Sequence, residues 1–398
     1  MVSTLLLTQR FPPHQGAAAR RLRFLAEQFA KEGKVFVIRK GAEAETLLAV
    51  ERTTSIPGND LRKLSGSEGK PIRGSTKENP LVKYLLKMRQ AYPFVYLTDD
   101  GGIDYRKKAF EAACSLVETE GVTTIFSSFR PWSDHLVARM LKAKYPQLRW
   151  IADFRDLPVD IVRKDIWWPA LQSWWGRSVV ASADEVWTVS EGQKAQLKGW
   201  HTNIVVRRNP LLALPPEENN PKTDRFTIVY TGSLYAGLQT IQPLVEALQE
   251  LLFEGTMTAE KICLQYRGKD TDLFRKWVIG LPEECLDVQP SIAPAAAAKM
   301  QYEAQVLLLL NWSAPGYYGV LTAKLWDYLA TGRPILALVN GPEDPELQSI
   351  ISGANAGAVF ANDELGLRGW LGEAYQGWEA SGSLSWMVTG DELRKYLR

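Results

Sequence analysis

Apolar positions along this chain switch repeatedly between a strand-like and a helix-like period. Thr4 to Thr8, with Leu5, Leu6 and Leu7, reads as a short buried strand, and a loop with Pro12, Pro13 and Gly16 follows. Leu22, Leu25, Ala26 and Phe29 then recur at i, i+3, i+4 and i+7, one face of a helix that Gly33 closes. Val35 to Ile38 is the next strand, so the opening reads as a parallel βαβ unit. Further strands are predicted at Thr124–Ser127, Trp150–Ala152, Val186–Val189 and Ile204–Val206, with a helix near 134–144.

Residues 208–225 interrupt the pattern with four prolines, three asparagines and mixed charges, the composition of a linker. A second series starts at the strand Phe226–Tyr230. A glycine-containing loop, Thr231–Gly237, leads to a helix with Ile241, Leu244, Val245, Leu248 and Leu251 on one face. Strands at Cys263–Tyr266, Val306–Leu310 and Pro334–Leu338 and a helix at 322–331 continue it. Trp370, Trp378, Trp386 and Leu393 are apolar points of a helical end. The predicted class is α/β: two Rossmann-like, doubly wound domains facing across a cleft. The first spans 1–207, a linker 208–225, the second 226–365, and a helical segment 366–398 is expected to cross back to the first. Ligands of such sheets bind outside the carboxyl ends of the strands, so the loops after strands are the ones to read.

Composition narrows the partners. Of 398 residues 45% are hydrophobic and 23% charged, which excludes disordered and collagen-like chains. Lys plus Arg is 47 against 45 Asp plus Glu, a net charge of +2, so a nucleic-acid partner is not expected. Three scattered cysteines suit neither a disulfide framework nor a zinc site. No apolar stretch reaches the ~18 residues of a membrane span, and the N-terminal apolar run is too short for a signal peptide. A cytoplasmic protein is expected.

Four loops carry candidate chemistry. Phe11 to Ala18 opens the first helix, where Gly16 lets an anion approach the helix N-terminus or simply makes a tight turn. Gly232, Ser233, Tyr235 and Gly237 lie in the corresponding loop of the second half. In 319–334, Thr322 can cap a helix whose first turn holds Lys324. The macrodipole disfavours a cation there, and a bound phosphate would relieve the conflict. Asp327 stands three residues on and can accept from ribose hydroxyls, or the two form a solvated pair. Finally, His135 follows Ser127-Ser128-Phe129-Arg130-Pro131, and Asp153, Arg155 and Asp156 follow an apolar strand. Three charges there are costly unless they pair or face a polar site.

Together these segments resemble the glycosyltransferases of GT-B fold, family 4. Phe11-Pro12-Pro13 through Ala30 matches the family's opening. Ser127 to His135 followed by Asp153-Phe154-Arg155-Asp156 resembles a subgroup's Ser-x-His and Asp-Phe-Arg-Asp. Ala183 to Ser190, Asn209-Pro210, Val229 to Tyr235 and Lys324 to Pro334 follow in matching order. The resemblance implies a retaining transferase that moves a sugar from a nucleotide-sugar donor to a glycan or lipid-linked acceptor, with polysaccharide biosynthesis as its setting. It makes His135, Asp153 and Asp156 the catalytic candidates. Gly16, Gly232, Ser233, Tyr235, Gly237, Arg267, Thr322, Lys324 and Asp327 are the donor-binding ones. No cofactor beyond the donor is expected, and no metal, on the reading that the chain has no Asp-x-Asp motif. Two departures stand out. Gly319 takes the place of the first of two glutamates, Asp327 that of the second. The loop after Tyr230 offers Ser233 and Leu238 where the family has Arg and Lys, leaving Lys324 and Arg267 as the nearest cations.

Residues 61–90 hold eight Lys/Arg against Glu68 and Glu78, beside an apolar stripe of Leu81, Val82, Leu85 and Leu86. Six of the 14 tryptophans fall between Trp167 and Trp200. An anionic membrane surface is therefore an expected partner, at the inner face; the alternative is that the tryptophans pack in the first domain's core. Rival functions are a sugar-nucleotide epimerase or hydrolase on the same architecture and a non-catalytic sugar-nucleotide-binding protein.

Overall fold

The computed structural model describes residues 2–397 apart from 15, 42–46, 48, 57–87, 89–90, 99–101, 161, 165, 218–219, 387 and 389. The basic stretch read as a membrane helix thus lies outside the described residues, Met88 excepted. The described chain divides into two compact units that meet in sequence between Arg208 and Asn209.

The first unit runs β1 (Val2–Leu7), α1 (Ala17–Ala30), β2 (Gly33–Lys40), β3 (Arg52–Ile56), a one-turn helix Val95–Thr98, α2 (Gly102–Glu120), β4 (Thr124–Phe129), α3 (Trp132–Lys144), β5 (Arg149–Phe154), α4 (Pro169–Val180), β6 (Glu185–Thr188), α5 (Glu191–Gln196) and β7 (Ile204–Val206). Its seven strands lie in the order β3-β2-β1-β4-β5-β6-β7, all parallel. Both faces of such a sheet are covered, so its central strands carry apolar runs rather than alternation. Leu22, Leu25 and Ala26, the helix stripe read from the sequence, pack with Leu6, Val35, Val37, Phe126, Ile151 and Trp187.

The second unit repeats the plan: β8 (Phe226–Thr231), α6 (Gln242–Phe253), β9 (Ile262–Arg267), α7 (Thr271–Trp277), β10 (Leu286–Gln289), α8 (Pro294–Glu303), β11 (Val306–Trp312), α9 (Ala323–Leu329), β12 (Ile335–Asn340), α10 (Pro345–Gly353), β13 (Gly357–Phe360), α11 (Glu364–Ser381) and α12 (Gly390–Arg394). The order β10-β9-β8-β11-β12-β13 is again fully parallel. In each sheet the direction of winding reverses beside the unit's first strand, at β1/β4 and at β8/β11. The crevice at such a switch point is where the loops after these strands converge.

The proline-rich segment packs along the second unit. Leu211 is buried with Leu325 and Trp326 and donates its N–H to Tyr396 O at 3.2 Å. The C-terminal segment packs there too: Leu367, Leu371, Tyr375 and Trp378 join the core beside α6, and Leu393 joins that of α9. No helix among the described residues is long and apolar enough to cross a membrane.

Candidate functional site

The second unit's crevice is built on a stack of rings. Tyr230, at the end of β8, lies parallel to Tyr266 at 6.0 Å, and Tyr266 lies on Phe274 at 4.5 Å. Directly after β8 the chain turns at Gly232, whose φ of 115° is a glycine conformation. A Cβ there would also come within 2.8 Å of Lys324 Cε, so Gly232 admits the lysine that α9 presents. The Lys324 ammonium donates to Tyr230 Oη at 3.1 Å and sits 4.8 Å from the centre of that ring. Tyr230 in turn donates to Ser233 O at 2.9 Å.

Burial pushes the Lys324 ammonium down to about 8, although the charges of Asp327 and Asp270 oppose the shift. Lys324 forms no ion pair with any described residue. A half-buried cation with only a hydroxyl and a ring for partners is costly, and an arriving anion removes that cost. Asp327 sits half-buried in α9 with its charge on Lys324.

The backbone of the loop departs from expectation. Gly232, a donor-binding candidate, has no free amide to offer: its N–H donates to Arg267 O at 2.8 Å. Its carbonyl accepts from Tyr266 Oη at 3.0 Å. Leu234 N–H goes to the Asp270 carboxylate at 2.9 Å and Tyr235 N–H to Gln239 Oε1 at 3.0 Å. The Ser233 N–H is left without a partner among the described residues. Tyr235 packs on Trp312 at 5.2 Å, and Gly237 (φ 78°) has open space around it.

Other expectations change as well. Arg267 does not serve the loop as a cation: it pairs with Asp287 at 2.5 Å and also donates to Asp287 O and Tyr266 O. Thr322 stands at the N-cap of α9, but its side chain makes no capping bond. Gly319 (φ 73°) donates its N–H to Asp344 at 2.9 Å, so a carboxylate does lie close to this position. Asp344 has no exposed surface and caps α10 through Leu347 N–H, however, and does not stand in for the missing glutamate. Asp270-Thr271-Asp272 has the Asp-x-Asp spacing that the sequence reading passed over. Its two carboxylates diverge, Asp270 into the buried loop network and Asp272 into solvent on α7. No group of three metal-ligating side chains gathers among the described residues.

In the first unit the structure separates the three catalytic candidates. His135 has no exposed surface; its Nδ1 lies 2.7 Å from Ser127 Oγ, which also accepts from Trp150 Nε1. Phe129, Trp132 and Phe154 enclose the ring, and burial pushes its pKa down to about 3. It is a neutral core histidine. Asp153, equally buried, pairs with Arg21 at 2.7 Å and accepts from Ser128 at 3.0 Å. Arg21 in turn donates to the carbonyls of Arg207 and Arg208. Neither His135 nor Asp153 presents an atom to a substrate in this structure. Asp156 remains at the surface, 3.7 Å from Arg155. Gly16 (φ 112°) starts α1 with no side-chain cap and no atom within 4 Å of its Cβ position. The sequence reading missed Asp134, which accepts from Gln9 N–H and Tyr105 Oη, and also Arg21, Tyr266 and Asp270. For Asp270 a signal existed, since it follows β9 within the same edge of the sheet.

Solved structures place this architecture. Sucrose-phosphate synthase from Thermosynechococcus elongatus superposes with a TM-score of 0.60 at 15% identity, over 100% of this chain and 94% of that one. The fold is GT-B. TarM (TM-score 0.55, 9% identity, 100% of this chain and 98% of that) agrees. So does a trehalose-6-phosphate structure from E. coli bound with UDP-2-fluoro glucose (TM-score 0.55, 10% identity, 99% and 94%). No family model and no curated protein matches the chain by sequence.

Proposed function

We propose that this protein is a retaining, family 4-type glycosyltransferase whose second unit binds a nucleotide-sugar donor at the β8/β11 switch point. The observation that carries the reading is Lys324: a cation pressed against Tyr230 and Gly232, without an ion pair, at the place where this topology gathers a ligand. The diphosphate of the donor would supply the missing anion, joined by the free Ser233 N–H. Asp327 would accept from the ribose. As the glycosidic bond breaks, negative charge grows on the diphosphate, and a positioned ammonium stabilises that state more than the ground state. In this reading Lys324 does what a metal does elsewhere. The acceptor, a glycan or lipid-linked sugar, would meet the first unit at the loops after β1 and β5, where Gly16 leaves room and Asp156 is accessible. The protein would work in the cytoplasm, against the membrane where such acceptors are anchored.

A second reading, a non-catalytic nucleotide-sugar-binding protein, is favoured by Gly319, which leaves the donor sugar without the family's first carboxylate. Incubation with a panel of nucleotide sugars separates the two. A transferase releases nucleoside diphosphate only with acceptor, a hydrolase without it, and a binding protein not at all. Failure of every donor to bind overturns both.

A further inference from the structure

Helix α4 is apolar on two sides. Its inner face buries Gln172, Trp175, Gly176, Val179 and Val180, with the Trp175 ring 4.7 Å from Trp132. Packing there is so close that a Cβ at Gly176 would fall 2.5 Å from Trp200. The outer face carries Trp168, Leu171 and Trp174, which are 52%, 36% and 62% exposed. Trp168, Pro169, Ala170 and Leu171 line a shallow, open, wholly apolar concavity. Trp168 itself has φ 48° and ψ 63°, a left-handed conformation that a tryptophan seldom adopts. That turn starts the helix, through Trp168 O accepting from Gln172 N–H, and leaves the indole outside.

The one charged residue of α4 is a cation. Arg177 is exposed and follows Trp174 by three residues, and the helix contains no acid, whereas Arg163 before it is paired with Asp160 at 3.5 Å. Indoles prefer a boundary between apolar matter and water, and cations flanking such a face match anionic headgroups. A twofold contact between copies would instead bring Arg177 toward its symmetry mate with no acid on the helix to pair it.

We infer that the outer face of α4 docks on an anionic lipid bilayer. Trp168, Leu171 and Trp174 enter the headgroup boundary, and Arg177 meets the lipid phosphates. This does not depend on the donor-binding reading and stands even if no nucleotide sugar binds.

Flotation of the full chain with vesicles tests it, comparing phosphatidylcholine alone with phosphatidylcholine plus phosphatidylglycerol. The wild type floats with the mixed vesicles and less with the neutral ones. Trp168→Ser/Leu171→Ser/Trp174→Ser lowers partitioning by roughly tenfold or more, and Arg177→Glu weakens binding to the mixed vesicles only. The replaced side chains are exposed, so an unchanged thermal transition confirms folding; Trp174→Ser alone serves should the triple variant unfold. A folded triple variant that floats like the wild type overturns the inference. So does a wild type that ignores vesicles but forms a concentration-dependent dimer that the triple variant loses.

Discussion

Donor binding should switch off as pH rises past the Lys324 pKa. In the folded, ligand-free protein that ammonium loses its proton at about 8, because burial disfavours its charge. The unfolded chain keeps it to about 10.5. Below about pH 8 both states are protonated, and the folded state bears the full penalty, of order 3 kcal/mol for that difference. Between those values the unfolded chain binds more protons, so folding stability rises with pH there. A bound diphosphate reverses the preference by pairing the ammonium, and binding at alkaline pH must then take up a proton. At about pH 9 the affinity should be roughly tenfold weaker than at about pH 7.

Calorimetry with an intact nucleotide sugar, which has no phosphate titrating in this range, reads this directly. Repeating it in two buffers of different ionisation heat gives the proton count. Lys324→Met should bind weakly with a flat pH profile, and should be more stable than the wild type by up to about 3 kcal/mol at neutral pH without ligand. Lys324→Arg stays charged, so its profile should also be flat, with binding partly retained. A wild-type affinity that is constant through pH 8, or a Lys324→Met variant with the wild-type profile, would refute the placement of the diphosphate on this lysine.

Other outcomes follow from the same geometry. Asp327→Asn removes a charge that holds the Lys324 pKa up, so the alkaline loss of binding should move to lower pH; Asp327→Ala should weaken nucleotide binding by about 1.5–3 kcal/mol, as for a charged hydrogen bond. Arg21→Met strands the buried Asp153 carboxylate and should cost roughly 3–5 kcal/mol in urea unfolding, without a selective effect on donor binding. His135 is neutral in the folded state, so stability should fall by a few kcal/mol as pH drops from about 6.5 toward 3, and His135→Gln should flatten that slope. Neutralising the basic residues of 61–90 should weaken, without abolishing, the salt-sensitive sedimentation with anionic vesicles, each cation contributing about 1 kcal/mol; unchanged pelleting would remove that segment from membrane binding.

The parts of this fold that apolar patterning made legible are those where both faces of an element are buried. β1, β2, β8, β11 and β12 announce themselves through runs such as Leu5-Leu6-Leu7 and Val306 to Leu310, and α1 through its one-sided stripe Leu22, Leu25, Ala26. Two edge strands do not: β3 reads Arg-Thr-Thr-Ser-Ile and β13 Gly-Ala-Val-Phe, only partly buried and without a period. The site divides along a different line. A charge just after an apolar strand has two stable solutions, a buried partner or a polar ligand, and spacing in sequence does not distinguish them. Asp153 found Arg21, 132 residues away, Arg267 found Asp287, and the Gly232 N–H found Arg267 O. Each of these groups looked as ready for chemistry as Lys324. What sets Lys324 apart is the partner it lacks, a property of the folded chain that desolvation makes expensive. Charges that folding has already paired fix the loops of their own sheet; Lys324, with no ion pair among the described residues, is the one that waits for a ligand.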